Sequence, residues 1–195
     1  YLGKAVQTVN PPSGSVGTAQ LADSAVSTAK IADDAVTKAK TSNLMYPAFE
    51  AFLSSDQSVT DVTETKAQVN SEVFDTDGCY DNSTNYRFTP TTAGKYFVYG
   101  RVATDEAAGN TRQSITYIYK NGTEVARSYV NFHESTSSTT DGEGASPQCI
   151  AVIDMNGSTD YLELYGLHDV NSGSAIFSGH STRRYTSFGA YRIGD

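Results

Sequence analysis

An all-β sandwich carried behind an extended repeat segment is the architecture this sequence predicts, on three observations. Aromatic residues are split unevenly: of 13 Tyr and 8 Phe, only Tyr1 precedes residue 44. From Pro47 onward, short runs rich in Val, Ile, Thr, Tyr and Phe are separated by clusters of Gly, Asn, Asp and Ser, the pattern of strands joined by tight turns. Before residue 44 that pattern is absent and a ten-residue period takes its place. The chain is therefore two physical objects. A body of about 150 residues can bury roughly 70% of its unfolded surface and hold a core. The leading segment has little apolar area to offset an ordering cost of about 1–2 kcal/mol per residue, so order there requires a partner.

The net charge of −8 argues against functions that need a cationic footprint, namely nucleic-acid binding and adhesion to an acidic membrane surface. The longest apolar run is Cys149–Ile153, far short of the roughly 20 residues of a spanning helix, so no membrane insertion is expected. The acidic excess belongs to the body, since residues 1–43 carry four Lys against three Asp.

Residues 1–14 read as a linker or the end of an upstream segment, because Asn10-Pro11-Pro12-Ser13-Gly14 is stiff and incompatible with helix. Residues 15–45 carry the repeat. Residues 21–30 read LADSAVSTAK and residues 31–40 IADDAVTKAK, with part of the same register in 11–20. Ten residues of α-helix turn through about 1000°, roughly 80° short of three full turns, so an apolar stripe would rotate by that much every repeat. Heptads drift only about 20°, which makes a continuous coiled coil a poor fit. Each decad is expected to form a short helical turn or strand plus a turn at Asp23-Ser24 and Asp33-Asp34. Val16, Leu21, Val26, Ile31 and Val36 would then face an axis shared by several chains. An Ala-rich amphipathic helix is the competing reading. The decads resemble the I-A-D-x-A-V-T-x-A-K shaft repeats of bacteriophage tail fibres, and that resemblance implies a parallel homotrimer.

In the body, residues 46–195, strands are expected near 47–54, 66–74, 84–89, 95–104, 112–120, 123–132, 148–155, 160–167 and 183–193. Asn121-Gly122 and Asn156-Gly157 read as hairpin turns, because Asn-Gly tolerates the positive φ angles of a tight primed turn. Many short strands without a helical stretch mean a sandwich, barrel or jelly roll. Tyr96–Val102 and Tyr161–Tyr165 are apolar on both faces. A free-standing sheet keeps one wet face, so the second face is expected at a subunit interface. Cys79 and Cys149 read either as one disulfide or, preferably, as two separate buried thiols.

The order of segments resembles the globular heads of complement C1q and its tumour-necrosis-factor relatives. The carriers are the opening strand Pro47–Phe52, then Phe74-Asp75, Tyr80-Asp81, Tyr86–Pro90 and Gly94–Phe97. The Lys120–Gly122 hairpin, Ile150–Leu164 and the closing Ser187–Ile193 follow. The resemblance covers about 46–193 and implies a ten-strand jelly-roll sandwich in a tight homotrimer. Residues 156–160 depart from it, since the family places Gly-Asp there directly, and so does the lengthened loop 133–147.

No catalytic constellation is evident. His133-Glu134 begins like a zinc-protease motif, but Ser137 stands where the second His is needed. Asp75–Gly78 reads as an Asp-Gly turn in preference to a calcium loop. Alternation from the first strand sends the turns at 90–94, 120–123 and 155–159 to the base. It sends the loops 54–65, 103–111, 132–147 and 167–182, joined by 76–83, to an apex away from the shaft. Apical loops on a rigid scaffold are where recognition usually sits. The candidate receptor contacts are Asp105, Glu106, Asn110, His133, Glu134, His168, Asp169, Asn171, His180 and Arg183. The resemblance to C1q heads also offers Glu134, Asp141 and Glu143 as oxygen ligands for calcium, against a merely solvated loop; no cofactor is required.

The expectation is the distal part of a homotrimeric phage fibre, located on the virion and extracellular. It would join other virion tail or baseplate proteins upstream and bind a host cell-surface glycan or protein without catalysis. The alternative is a structural decoration or connector protein whose head acts as a trimerisation clamp.

Overall fold

The computed structural model describes residues 12–32, 35, 46–105, 111–132 and 144–194. The chain divides into two units, residues 1–41 and 42–195.

In the first unit the sequence period is a backbone period. The amides of Ser15, Ala25 and Ala35 donate to the carbonyls of Pro12, Ala22 and Ala32 at 3.0–3.1 Å. Between these turns lie two short 3₁₀ turns, Thr18–Gln20 and Thr28–Lys30. Gly14 and Ser24 occupy the same turn position with φ of 79° and 63°. Positive φ at that position is the type II requirement, which glycine meets without cost and serine tolerates less readily. Val16, Leu21, Val26 and Ile31 are 42–55% exposed, one every five residues. Val36 lies outside the described residues.

The second unit is a jelly-roll sandwich of antiparallel sheets. One sheet has the order β12-β7-β15-β1-β4, built from Gln148–Asn156, Ala93–Arg101, Ser187–Gly194, Ala48–Phe52 and Ser71–Asp75. The other runs β10-β9-β13-β6-β5, from Thr123–Asn131, Thr111–Lys120, Leu162–Val170, Arg87–Phe88 and Tyr80–Asp81. Strand β3 (Thr65–Lys66) also pairs with β13. Two small ladders complete the set: β8 (Thr104–Asp105) with β11 (Gly144–Ala145), and β2 (Gln57–Ser58) with β14 (Ile176–Phe177). Eight of the nine sequence-predicted strands fall on long members of the two sheets, and the ninth, near 84–89, is reduced to the two-residue β6. The other two-residue strands were not expected, because two residues carry no periodicity to read.

Between the sheets, Phe49 stacks on Tyr80 and on Phe88 with centroids 4.5 Å apart, and Phe188 meets it edge-on at 5.1 Å. Stacked and edge-on pairs contribute about 0.5–1.5 kcal/mol beyond their area. The buried hydroxyls are satisfied locally: Tyr80 donates to the Val69 carbonyl at 2.8 Å and Tyr96 to that of Thr92 at 2.7 Å. A Cβ at Gly100 would stand 2.4 Å from Leu164 Cδ1 of the facing sheet. Cys79 and Cys149 are both buried free thiols, and burial raises the pKa of each above its ordinary value.

One end of the sandwich carries the turns. Asn121 and Gly122 have φ of 52° and 77°, as an Asn-Gly hairpin requires. Residues 156–160 do not form a second such turn. There β12 continues through Asn156, whose side-chain oxygen accepts from the amides of Ser158, Thr159 and Asp160, each at 3.0 Å. Asp160 ties both turns together. It receives Lys120 at 2.9 Å, Asn121 Nδ2 at 2.7 Å and the Asn156 amide at 3.0 Å. The loop after β4 also belongs to this end, not to the opposite end where alternation placed 76–83. Strand β4 runs antiparallel to β1, with Asp75 beside Phe49, and Thr76 bonds both backbone and side chain to Ala48. Strand β4 is the one expected near 66–74, and the unexpected two-residue strand β5 follows it before the turn at 90–94.

Two stability predictions follow from these contacts. Glu163 is 3% exposed and holds Lys66 at 2.7 Å and Arg87 at 3.0 Å, while the Arg87 guanidinium lies 4.1 Å from the Tyr161 ring. Glu163→Ala should cost about 2 kcal/mol in urea unfolding, less than the 3–5 typical of a fully enclosed pair, because both cations remain partly wet. The Asp160 carboxyl is held below its ordinary pKa, chiefly by the Lys120 and Asn121 side chains. A depressed folded-state value adds stability above the ordinary carboxylate range of about 4, and that stability disappears as pH falls through the depressed value. Asp160→Asn should therefore cost about 1–2 kcal/mol at neutral pH. Its unfolding curve should converge with that of the parent in acid; a gap that persists in acid would contradict the charge-based account.

Candidate functional site

Four loop regions gather at the end opposite Tyr46-Pro47, and backbone-directed hydrogen bonds hold the described parts of them. Leu53 donates to the Thr186 carbonyl, His180 to that of Leu53, Ser178 to that of Ala103 and Val62 to that of His168, all at 2.8–3.1 Å. The carboxylates of Asp56 and Asp61 accept the amides of Gly179 and Val170, each at 2.9 Å. These acidic residues are used up in fixing the loops, which fits the frequency of Asp in side-chain-supported turns.

The predicted contact residues separate into three groups. Glu106, Asn110, His133, Glu134, Asp141 and Glu143 lie outside the described residues, and so does every proposed calcium ligand. Among the described residues, no cluster of His, Cys, Asp and Glu is arranged to hold a metal ion. Asp105 belongs to β8 and pairs with Gly144. His168 must be corrected. Strand β13 runs on to Val170, so His168 is a strand residue, fully buried. Its Nε2 lies 3.0 Å from Thr111 Oγ1 and its Nδ1 3.1 Å from the Ile176 amide. A histidine enclosed on both ring nitrogens pins the 171–176 loop and offers a receptor nothing. Asp169 is half-buried on the same strand and Asn171 is exposed beyond it.

His180 and Arg183 do come together, and around a residue that sequence reasoning missed. His180 Nδ1 accepts the amides of Thr182 at 3.1 Å and Arg183 at 3.2 Å, and its ring meets Tyr185 edge-on at 5.5 Å. Arg183 donates to the Tyr185 hydroxyl at 2.8 Å. Tyr185 closes one side of a cleft of about 260 Å³, lined also by Ala103, Thr104, Gly144, Ala145, Ser146 and Ser178. In the sequence Tyr185 is one more aromatic before a strand. Only the crossing of β8, β11 and the 178–186 segment makes it a wall.

A second surface lies on the outward face of the five-stranded sheet. Phe97 and Tyr99 of β7 alternate outward while Tyr96 and Val98 are buried. Tyr191 stands beside Phe97 with centroids 5.3 Å apart, and Ile150 and Val152 of β12 pair with Tyr99 and Phe97 while remaining 52% and 59% exposed. At the edge of this patch the Tyr99 hydroxyl donates to Glu50 at 3.3 Å, and Glu50 holds Arg184 at 3.1 Å. Burial, reinforced by the Glu50 charge, pushes the Tyr99 pKa up to about 12. Tyr99 is thus a neutral donor at every physiological pH.

No family model matches the sequence, and no curated protein matches it. Among solved structures, the chain is similar to murine APRIL at pH 5.0, with 12% identity over 74% of this chain and 97% of that one, and a TM-score of 0.51. It is also similar to the Eiger TNF of S. frugiperda, with 10% identity over 76% of this chain and 92% of that one, and a TM-score of 0.54. At this identity the likeness establishes the fold of the body, a TNF-like jelly roll, and the fold alone.

Proposed function

We propose that this chain is the distal part of a homotrimeric phage fibre, exposed on the virion, whose head attaches to a glycan or protein of the host surface through its loop end. The reading involves no catalysis and requires no cofactor; other virion tail or baseplate proteins would lie upstream. One observation carries it: both units leave regular apolar ladders uncovered. In the first unit Val16, Leu21, Val26 and Ile31 recur every five residues, half exposed. In the second, Ile150 and Val152 extend an aromatic patch of Phe97, Tyr99 and Tyr191. Copies of the chain in parallel would cover both ladders at once, as a closed symmetric assembly does. Tyr-rich patches with polar rims suit such interfaces.

The test is the mass in solution. Light scattering of the full chain should give three times the 20.9 kDa chain mass, and Val152→Glu should shift the population towards the single-chain mass with the β spectrum retained. A single-chain mass for the parent at micromolar concentration would overturn the trimer. Attachment is tested separately, by binding of the labelled trimer to a panel of bacterial cells. Failure to bind any of them would favour the connector reading.

A further inference from the structure

We propose that the cleft between β8, β11 and the 178–186 segment accepts one neutral sugar unit of a surface glycan, with Tyr185 as the ring it lies against. This rests on the receptor-binding reading above and names the ligand class of that surface. The first argument is the lining. Among the described lining residues, the exposed Ser146 and Tyr185 carry hydroxyls, Thr104 turns its own to the Ala145 carbonyl, the rest of the wall is Ala103, Gly144, Ala145 and Ser178, and none is charged. A hydroxyl both donates and accepts, so such a wall matches a ligand whose polar groups are themselves hydroxyls. A carboxylate or phosphate ligand would meet no cation among the described lining residues.

The second argument is preorganisation. Tyr185 is 36% exposed, yet fixed by the His180 ring on one side and by Arg183 at its hydroxyl. His180 is itself locked by the amides of Thr182 and Arg183. A rigid aromatic with a polar tip gives contact area at small entropic cost. Size limits the ligand to one ring: about 260 Å³ is below the range of roughly 300–1,000 Å³ typical of drug-sized ligands.

The test is saturation-transfer NMR on the full chain in its assembled state. The probes are glucose, galactose, mannose, rhamnose and N-acetylglucosamine, with N-acetylneuraminic acid as the charged control. At least one neutral sugar should receive saturation. Tyr185→Ala should weaken that sugar about tenfold or more, as truncation of an aromatic anchor does, whereas Tyr185→Trp should retain it. Because Tyr185→Ala could disturb the loop, Ser146→Trp supplies an independent check. Ser146 is exposed, and the larger ring should fill the cleft and abolish transfer with the melting temperature unchanged. Transfer to no neutral sugar, transfer surviving both Tyr185→Ala and Ser146→Trp, or equal transfer to the acidic control would each overturn the proposal. Cell binding separates this from the broader reading. Cells bound equally by the Ser146→Trp trimer would sink the sugar cleft and leave attachment standing. Sugar bound without any cell would do the reverse.

Discussion

Strand β7 has to bury both of its faces, and much of the molecule is arranged around that requirement. Its inward side chains, Tyr96 and Val98, lie within the aromatic core, and Gly100 makes room there for Leu164 from the facing sheet. Among the described residues, its outward side chains, Phe97 and Tyr99, have their apolar neighbours within their own sheet: Tyr191 on β15, Val152 and Ile150 on β12. Full burial of a large apolar side chain is worth about 1.5–3 kcal/mol, so a patch of five left half-covered is a substantial driving force for association. The polar rim of Tyr99, Glu50 and Arg184 at its edge is already internally paired. A second copy could therefore seat on the patch without leaving a charge stranded.

The two ends of the sandwich are stabilised by different chemistry. At the turn end, Asn121, Asn156 and Asp160 satisfy the backbone and one another, and the turns are short. At the loop end, Asp56, Asp61 and His168 serve as internal braces, each spent on backbone groups of a neighbouring segment. What the braces leave over is a set of hydroxyls and one propped tyrosine. In the proposed reading, recognition there would depend on a rigid frame built from the same acidic and histidine residues that look functional when only composition is considered.

That substitution of roles explains what was legible in the sequence. The eight long strands among the described residues were readable because β-branched and aromatic runs bounded by turn residues carry their own signal. The primed turn at Asn121-Gly122 was readable because its dihedral requirement is local. The ten-residue backbone period was readable because Gly14 and Ser24 occupy equivalent turn positions. Residues 156–160 misled because the Asn side chain, not Asn-Gly dihedrals, organises the turn. The 76–83 loop misled because the two-residue strand β5, too short to carry a periodicity, lies between it and the turn at 90–94. His168 misled because a histidine near a strand end gives no sign of whether it faces solvent or core. Tyr185 was invisible for the complementary reason: its partners come from segments 40 and 80 residues away, and no local pattern encodes that crossing.

In the proposed reading, an acidic protein with a neutral recognition cleft faces a kinetic difficulty that trimerisation would answer. With a net charge of −8 per chain, approach to an anionic cell surface gains nothing from electrostatic steering. At physiological salt, however, charges are screened beyond about 8 Å, so the repulsion fades while contacts inside the cleft, made at hydrogen-bond distance, do not. Hydroxyl-to-hydroxyl recognition of one ring exchanges bonds with water for similar bonds with protein and is weak for each site. Three clefts held at a fixed spacing convert the second and third binding events into intramolecular ones, and avidity then rises without any stronger contact. In the proposed reading the apolar face on β7 and the hydroxyl cleft beside Tyr185 are therefore coupled in function: the first gathers the copies that make the second strong enough to hold a cell.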